Sequence, residues 1–433
     1  MTTEGAMGVS VTRGGRVRYG FWVSVVSMVV LVAQTTAPSP FYPEYQERWG
    51  LSPVMLAVIF AVYVVGLLVV LLTAGALSDY IGRKPVIITA GILALAGLLL
   101  LAWGGSVVAL IVGRVLQGAC VGLIAGALGA ALIDFHLPGK IRLSAVLNGA
   151  LPPLALAIGA IAAAGLSVVM ANATHLVYLV FAVAVLVCTI LWMFVPEPVH
   201  PRQGALASLR PSLSIPPQTR SVFLAVLGAL CASWALAGLY VGSAASITHQ
   251  SLGLTSPLAS GLTILALQVP GAVAGSATAR FHARTVIFFG LGALLIGGVL
   301  TIIALTNGSV WGFFAATVIA GAGFGGAFQS GLRLILAETP DNTRSQALSS
   351  VYVVTYLAFG IPSIIDGFLT PVLGFAVTLY LYLAFVCVLA AVAFLIQLRS
   401  RPAERSEQEA EVEESLETLD DTTTGGTAGT GSR

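Results

Sequence analysis

Charged side chains are scarce in this sequence. Asp, Glu, Lys and Arg make up 9% of the 433 residues, whereas hydrophobic residues make up 57%. A soluble globular domain carries roughly 25% charged residues, so the composition excludes that class. The deficit is larger in the body of the chain, because nine of the eighteen acidic residues lie in one run, Glu404–Asp421. Together with a mean hydropathy of +0.97, this composition predicts a polytopic membrane protein.

Residues that build metal sites, disulfide frameworks and phosphate loops are also few. The four cysteines lie far apart in apolar stretches and the five histidines are scattered, so the sequence predicts neither a disulfide framework nor a metal site. It has no G-x-x-x-x-G-K-[ST] loop for ATP hydrolysis and no cluster of His, Asp or Glu at one membrane depth. We therefore expect no enzyme activity, no cofactor and no nucleic-acid partner.

Twelve apolar runs are each long enough to form a helix that crosses a bilayer, which takes about 20 residues. The predicted spans are residues 19–40, 54–76, 86–103, 106–133, 143–168, 174–195, 219–243, 257–279, 285–305, 309–335, 346–369 and 373–397. The sequence therefore predicts an all-α membrane protein with twelve transmembrane helices.

The spans divide into two groups of six. A polar, proline-bearing linker at 197–218 separates a first bundle at 19–196 from a second bundle at 219–397. Weak matches relate the groups, since Gly118 and Gly122 of span four correspond to Gly321 and Gly325 of span ten. This pattern predicts two pseudo-symmetric bundles, an architecture typical of secondary transporters. Residues 398–433 are predicted to form a disordered acidic tail, because their composition can bury little apolar surface.

Basic residues orient the predicted array. They precede the first span, occupy alternate loops and the linker, and follow the last span, whereas the opposite loops hold only Arg48. Cytoplasmic loops are enriched in Lys and Arg, so both termini, including the N-terminal segment 1–18, are predicted to be cytoplasmic. Low Lys and high Ala, Gly and Arg usage suits a bacterial host, and we expect a monomer in the plasma membrane, the inner membrane of a bacterium.

One short stretch, Gly75–Val86 (GALSDYIGRKPV), concentrates three charged residues between spans two and three. Its pattern, G-x-L-[AS]-D-x-x-G-R-[KR], resembles the corresponding loop of the major facilitator superfamily. The matching residues are Gly75, Leu77, Ser78, Asp79, Gly82, Arg83 and Lys84. The resemblance covers essentially residues 15–400. It implies a transporter of small molecules that works by alternating access, in a branch similar to the drug exporters, which are proton antiporters.

The resemblance also implies a role for this loop. In that family the loop acid is thought to brace the first half against the start of span eleven and to hold the outward-facing closure, while the arginine pairs with an acid that ends span four. The second-half loop, residues 275–284, has Ala279 in place of the acid, so we expect a one-sided conformational latch. The predicted latch residues are Gly75, Asp79, Gly82, Arg83, Lys84 and Asp134.

Span four carries a second pattern, in which Arg114, Gln117 and Gly118 resemble the R-x-x-Q-G motif of the same family. An arginine inside a bilayer costs roughly 2.5–3.5 kcal/mol on insertion scales, so it must face protein or water. Two interpretations stay open. Arg114 either ties Gln117 and neighbouring carbonyl groups together, or it tunes the coupling to protons or to the substrate.

Other positions depart from the pattern of the exporters. Span five keeps the bending pair Pro152 and Pro153 but lacks the exporters' full glycine ladder, and span one has Gln34 where many exporters place an acid. Asp366 is the one acid within a predicted span, and it is either a proton site or a cap at the membrane interface. Proton coupling is therefore implied by the resemblance and not by these residues.

The substrate is expected to bind near the midplane, between the two halves. The polar and aromatic candidates for this cavity are Gln34, Tyr63, Asn148, Trp234, Tyr240, Gln268, Gln329, Tyr352 and Tyr356. Such a lining suits a neutral or amphipathic small molecule. Three functions remain open: proton-coupled efflux, import or facilitated diffusion of a neutral metabolite such as a sugar, and a sensor that has lost transport.

Overall fold

The computed structural model describes residues 4–169, 174–209, 215–340 and 343–424, and it describes the side chains of 15–399 within these ranges except residue 345. Twelve long helices, α1–α12, account for most of this part of the chain. Their bounds are Glu4–Ala33, Pro53–Ala74, Arg83–Trp103, Val107–Asp134, Ile141–Val169, Thr174–Met193, Arg220–Ser246, Pro257–Ala277, Ala283–Thr306, Val310–Ala337, Arg344–Leu373 and Phe375–Thr424.

Within the described residues, twelve segments are long and apolar enough to cross a membrane, as predicted. Each agrees with one predicted span to within a few residues, except that the first and seventh segments extend further, to Trp49 and Ser251. The first helix stops at Ala33 and continues as two 3₁₀ turns, Gln34–Thr36 and Ser39–Phe41, because Pro38 and Pro40 interrupt the backbone hydrogen bonding. A short helix, Tyr42–Trp49, follows before α2.

The last helix differs from the sequence-based expectation. It is described as far as Thr424, so it runs through most of the acidic segment for which disorder is predicted. Six of the eleven residues 407–417 are Glu, which is a strong helix former, and this explains helical backbone in the segment. Residues 425–433 lie outside the described residues.

Glycines let helices cross at backbone contact in both halves. A Cβ atom on Gly118 of α4 would lie 2.0 Å from the carbonyl oxygen of Tyr63 in α2. A Cβ atom on Gly321 of α10, which corresponds to Gly118, would lie 2.3 Å from the carbonyl oxygen of Leu267 in α8. Such distances exclude any side chain, so the glycines that match in sequence also perform the same packing role. The corresponding helix pairs α2–α4 and α8–α10 therefore support the predicted pseudo-symmetry.

The two halves contact each other along the α2–α11 and α5–α8 seams. We call the end of the bundle that carries Gly75–Val86 the loop end, and the opposite end the far end. At the far end, a Cβ atom on Gly367 of α11 would lie 2.1 Å from the Cβ of Ala57 in α2. A Cβ atom on Gly261 of α8 would lie 3.0 Å from the Cβ of Ala164 in α5. Both seams are thus closed at the far end.

Candidate functional site

The structure brings three of the four charged residues of the predicted latch, Asp79, Arg83 and Asp134, together at the loop end. Arg83 is the first residue of α3, and its Nε donates to Oδ2 of Asp134, the last residue of α4, at 3.1 Å. Its Nη1 pairs with the carboxylate of Asp79 and donates to the hydroxyl of Ser78 at 2.8 Å. One guanidinium therefore joins the loop, α3 and α4. The side chain of Arg83 is 11% exposed and that of Asp79 is 51% exposed, so the second pair is largely screened by solvent.

Glu197 is a fourth charged residue of this cluster, and the sequence analysis assigned it to the linker. Its carboxylate accepts hydrogen bonds from the backbone N–H groups of Arg83 at 2.8 Å and Lys84 at 3.0 Å. These groups form the N-terminus of α3, where a carboxylate is favourable. Gly82 permits this approach, because its φ is +103° and a Cβ atom there would lie 2.5 Å from Oε2 of Glu197.

Lys84 adds a second connection between α3 and α6, since its Nζ donates to the carbonyl of Met193 at 2.6 Å. The start of the linker is therefore fixed to the loop. The only signal in the sequence for Glu197 is that it is one of the few acids outside the tail, directly after span six.

The second-half loop is held differently. Arg333, near the end of α10, donates from Nη1 to the carbonyl of Ala279 at 2.8 Å and to that of Phe281 at 3.2 Å. Its Nη2 donates to the carbonyl of Thr278 at 3.4 Å. Ala279 occupies the position that corresponds to Asp79 in the first half. Its backbone carbonyl, and not a side-chain carboxylate, accepts the hydrogen bond from Arg333. Arg333 is not among the residues predicted from the sequence.

Arg114 lies at the centre of a buried network in the first half. Its side chain is 2% exposed, and its Nη1 donates to the carbonyl of Thr35 at 2.7 Å and to Oε1 of Gln117 at 2.8 Å. Nε2 of Gln117 donates to the backbone carbonyl and to Oε1 of Gln34, at 2.9 and 2.8 Å. The network therefore holds the 3₁₀ turn that interrupts the first span, and this geometry matches the tying role considered for Arg114. The Tyr63 ring centroid lies 4.5 Å from Cζ of Arg114.

An aromatic cluster spans the contact between the halves. The Trp234 ring lies 4.8 Å from that of Tyr356, 5.3 Å from that of Phe328 and 6.0 Å from that of Phe359. Phe359 of α11 in turn lies 5.1 Å from Phe60 of α2. The aromatic cluster, defined as these five residues, therefore joins α7, α10 and α11 of the second half to α2 of the first. Nε1 of Trp234 is buried and has no hydrogen-bond partner among the described residues.

The remaining cavity candidates divide by their contacts. Tyr352 lies beside the aromatic cluster, because its ring centroid is 6.3 Å from that of Tyr356. Gln329 bridges the halves, because its Nε2 donates to the carbonyl of Gly149 in α5 at 3.0 Å. Gln268 is 1% exposed, and both polar atoms of its amide lack a partner among the described residues.

Two candidates pack within their own halves. Tyr240 is fully buried in the second half, where its hydroxyl contacts that of Thr317 at 3.0 Å and its ring stacks on Phe313 at 6.2 Å. Asn148 packs beside Gly129 of α4. Tyr240 is therefore a core residue in this structure, and the sequence could not separate the faces of a helix that is apolar all round.

The far end contains a cavity of about 280 Å³ between the halves. Its wall includes Glu44 and Glu47 from the first half and Thr248 and His249 from the second. The Glu44 carboxylate accepts the hydroxyl of Thr174 at 3.0 Å. The acids of the first far-end loop therefore face the seam.

Asp366 and the proline pair complete the predicted positions. Pro152 and Pro153 lie inside α5, which continues through them from Ile141 to Val169. Asp366 lies in α11, and its Oδ1 is buried without a hydrogen-bond partner among the described residues.

Two bundles of six helices, joined by a linker and in contact around an aromatic seam, form an architecture that is typical of multi-pass membrane transporters. The family model of the Major Facilitator Superfamily matches residues 24–281 and 271–424. The chain belongs to this family. Membership of this family supports secondary transport of a small molecule, rather than enzyme activity, by a protein in contact with the lipid bilayer.

Solved structures share this fold at low sequence identity. A variant of the peptide transporter POT in complex with sulfate has a TM-score of 0.69 at 17% identity, covering 88% of this chain and 94% of that one. A POT family transporter in complex with 5-aminolevulinic acid has a TM-score of 0.70 at 10% identity, covering 88% and 96%. A variant of the nucleoside transporter NupG has a TM-score of 0.64 at 11% identity, covering 87% and 99%.

One curated relative matches over a short region. "Monosaccharide-sensing protein 2" of Arabidopsis thaliana is 30% identical over 90 residues, which is 21% of this chain and 12% of that protein. The chain thus spans a small part of the length of that relative.

Proposed function

We propose that the protein exports a small neutral or amphipathic molecule across the plasma membrane, the inner membrane of a bacterium, in exchange for protons. The observation that carries this proposal is the aromatic cluster between the halves, which includes the unpartnered indole N–H of Trp234. Aromatic walls with a few polar groups are typical of sites for small organic ligands. Because Phe60 and Phe359 belong to different halves, rocking of the halves would open and close this site.

The latch gives the proposal a mechanism. With the loop end on the cytoplasmic side, the Asp79–Arg83–Asp134 cluster holds α3 and α4 in one arrangement, and Glu197 fixes the same helix start to α6. In the proposed outward-facing state, Asp79 braces the first half against the start of α11. This contact requires Asp79 to separate from Arg83, its present partner. In this structure Asp79 pairs with Arg83 while the far end is closed.

Proton coupling is assigned to Asp366, whose buried Oδ1 lacks a partner among the described residues. A proton gradient drives exchange if this carboxyl is protonated from one side and deprotonated from the other. Proteoliposomes with an imposed pH gradient test this step. Substrate movement that depends on the gradient supports antiport, and movement that ignores it leaves facilitated diffusion.

A second candidate is import or facilitated diffusion of a neutral metabolite such as a sugar. The match to a relative whose name refers to monosaccharide sensing favours it, as does the uncharged Gln34 in the first span. Because that name refers to sensing, a sensor that has lost transport is a distant third candidate. Flux of any sugar or amphipathic compound through reconstituted protein separates both transport hypotheses from the sensor.

A further inference from the structure

Arg114 has hydrogen-bonding capacity that the protein leaves unused. Both hydrogen bonds of its guanidinium leave Nη1, toward the carbonyl of Thr35 and the amide oxygen of Gln117. Nε is buried and has no partner among the described residues. A guanidinium presents its donors in a planar fork, and the Nε edge matches the two oxygens of a carboxylate.

The charge of Arg114 is also uncompensated. The side chain is 2% exposed, and among the residues that the structure describes it forms no ion pair. The acid on the same helix, Asp134, is twenty residues away, about 30 Å along the helix axis, and it pairs with Arg83. Polar atoms of Thr35 and Gln117 and the face of the Tyr63 ring solvate the cation, but none of them carries a negative charge. A buried charge without a counter-charge is strongly disfavoured.

Arg114 is connected to the aromatic cluster. The Tyr63 ring that lies 4.5 Å from Cζ belongs to the same apolar core as Phe60 and Phe359, which meet across the seam. A ligand that lies along this core has aromatic surfaces for an apolar body and a guanidinium for an anionic head.

We propose that the transported molecule is an amphipathic monocarboxylate, whose carboxylate binds the Nε edge of Arg114 and whose apolar body packs on the aromatic cluster. This inference rests on the proposed transport function and narrows its substrate class. One carboxylate balances one guanidinium, so a dicarboxylate or a phosphate ester would bring excess charge into the site. When the substrate is bound, its negative charge balances that of Arg114, so the site carries no net charge.

The test compares matched pairs of acids and amides on the full-length protein in detergent. Phenylacetate, indole-3-acetate and octanoate are titrated at neutral pH against phenylacetamide, indole-3-acetamide and octanamide, and binding is read from thermal unfolding. We expect at least one acid to bind roughly tenfold or more tightly than its amide, which is the effect of a hydrogen-bonded charge pair. The variant Arg114→Lys keeps the charge but loses the fork, and the preference for the acid should then become smaller.

Two control variants keep the test specific. Arg333→Lys makes the same change at an arginine bonded to loop carbonyls and should preserve the preference for the acid. Trp234→Phe removes the indole donor of the cluster and should weaken the acid and the amide alike. If none of the acids binds more tightly than its amide to the unmodified protein, or if Arg114→Lys keeps the preference undiminished, the proposal is overturned.

Flux in proteoliposomes separates this inference from the function on which it rests. Transport of a neutral compound without any preference for acids would leave the transporter proposal standing and end the carboxylate proposal. Binding of acids through Arg114 without flux of any compound would contradict the proposed export and support the binding site.

Discussion

In both halves an arginine joins a loop to a neighbouring helix, but it lies at the loop in the first half and on the helix in the second. In the first half, Arg83 at the loop reaches Asp134 at the end of α4. In the second half, Arg333 near the end of α10 reaches the loop between α8 and α9, where it bonds the carbonyls of Thr278, Ala279 and Phe281. The same helix crossing is thus stabilised by carboxylates in one half and by backbone in the other.

This difference assigns separate roles to the halves. A network of one guanidinium and exposed carboxylates can exchange partners and is weakened by salt. Hydrogen bonds to backbone carbonyls offer no alternative partner without unfolding the loop. We infer that the first-half loop changes during transport, whereas the second-half loop is a fixed brace.

The largest effect is expected at the backbone crossings, where the halves are alike. Gly118→Val and Gly321→Val each place a branched side chain against a carbonyl oxygen, so each should cost about 3 kcal/mol or more and lower the amount of folded protein to a similar extent. Fluorescence-detected size-exclusion chromatography measures this. Gly165→Val provides the matched control, since a Cβ atom there meets nothing within 4 Å. A tolerated Gly118→Val would contradict the close α2–α4 packing.

The next effect separates the two loops. Arg83→Met leaves the carboxylates of Asp79 and Asp134 without their shared cation. We expect initial transport rates to fall about tenfold, which corresponds to a typical conformational coupling energy. Arg333→Met should lower the unfolding temperature with a smaller loss of rate in the folded fraction. Rates are compared in proteoliposomes at equal protein content. Equal loss of rate in both variants would remove the distinction between a changing loop and a fixed brace.

Asp79→Asn is expected to have a smaller effect. The exposed pair with Arg83 contributes little to stability, so membrane insertion should be normal, while transport slows roughly threefold. The carboxylate is lost but the size of the side chain is kept, so the change reports on charge. Unchanged initial rates at equal surface abundance would exclude Asp79 from the mechanism.

The smallest effect is expected for the tail. Removal of residues 398–433 deletes the acidic run but none of the residues of the latch, of the Arg114 network or of the aromatic cluster. Flux should therefore be unchanged, with aggregation in detergent measured as a control for solubility. Abolished flux with normal insertion would assign the tail a role in the transport cycle.

Local patterns explain what the sequence could predict. The lengths of the apolar runs define the twelve spans, and Gly82 and Arg83 lie in one short motif whose geometry is largely local. The pair of Arg83 with Asp134 was accessible through the family resemblance alone.

Long-range contacts explain what it could not predict. Glu197 reaches the start of α3 only after six helices have packed, and it is more than one hundred residues away in sequence. Phe328 and Phe359 look like any other apolar residue of a span, yet they build the aromatic cluster. Tyr240 has the hydroxyl group expected of a cavity residue, but this hydroxyl contacts that of Thr317 inside the second half.

The central claim is that the two halves separate at the far end during each transport cycle. Replacement of Ala164 and Gly261 by cysteine places two thiols across the α5–α8 seam, where the Cβ positions lie 3.0 Å apart and need a small shift to form a disulfide. Oxidation should stop transport and reduction should restore it, with each single-cysteine variant unaffected. Full transport by the oxidised, cross-linked protein would contradict the claim.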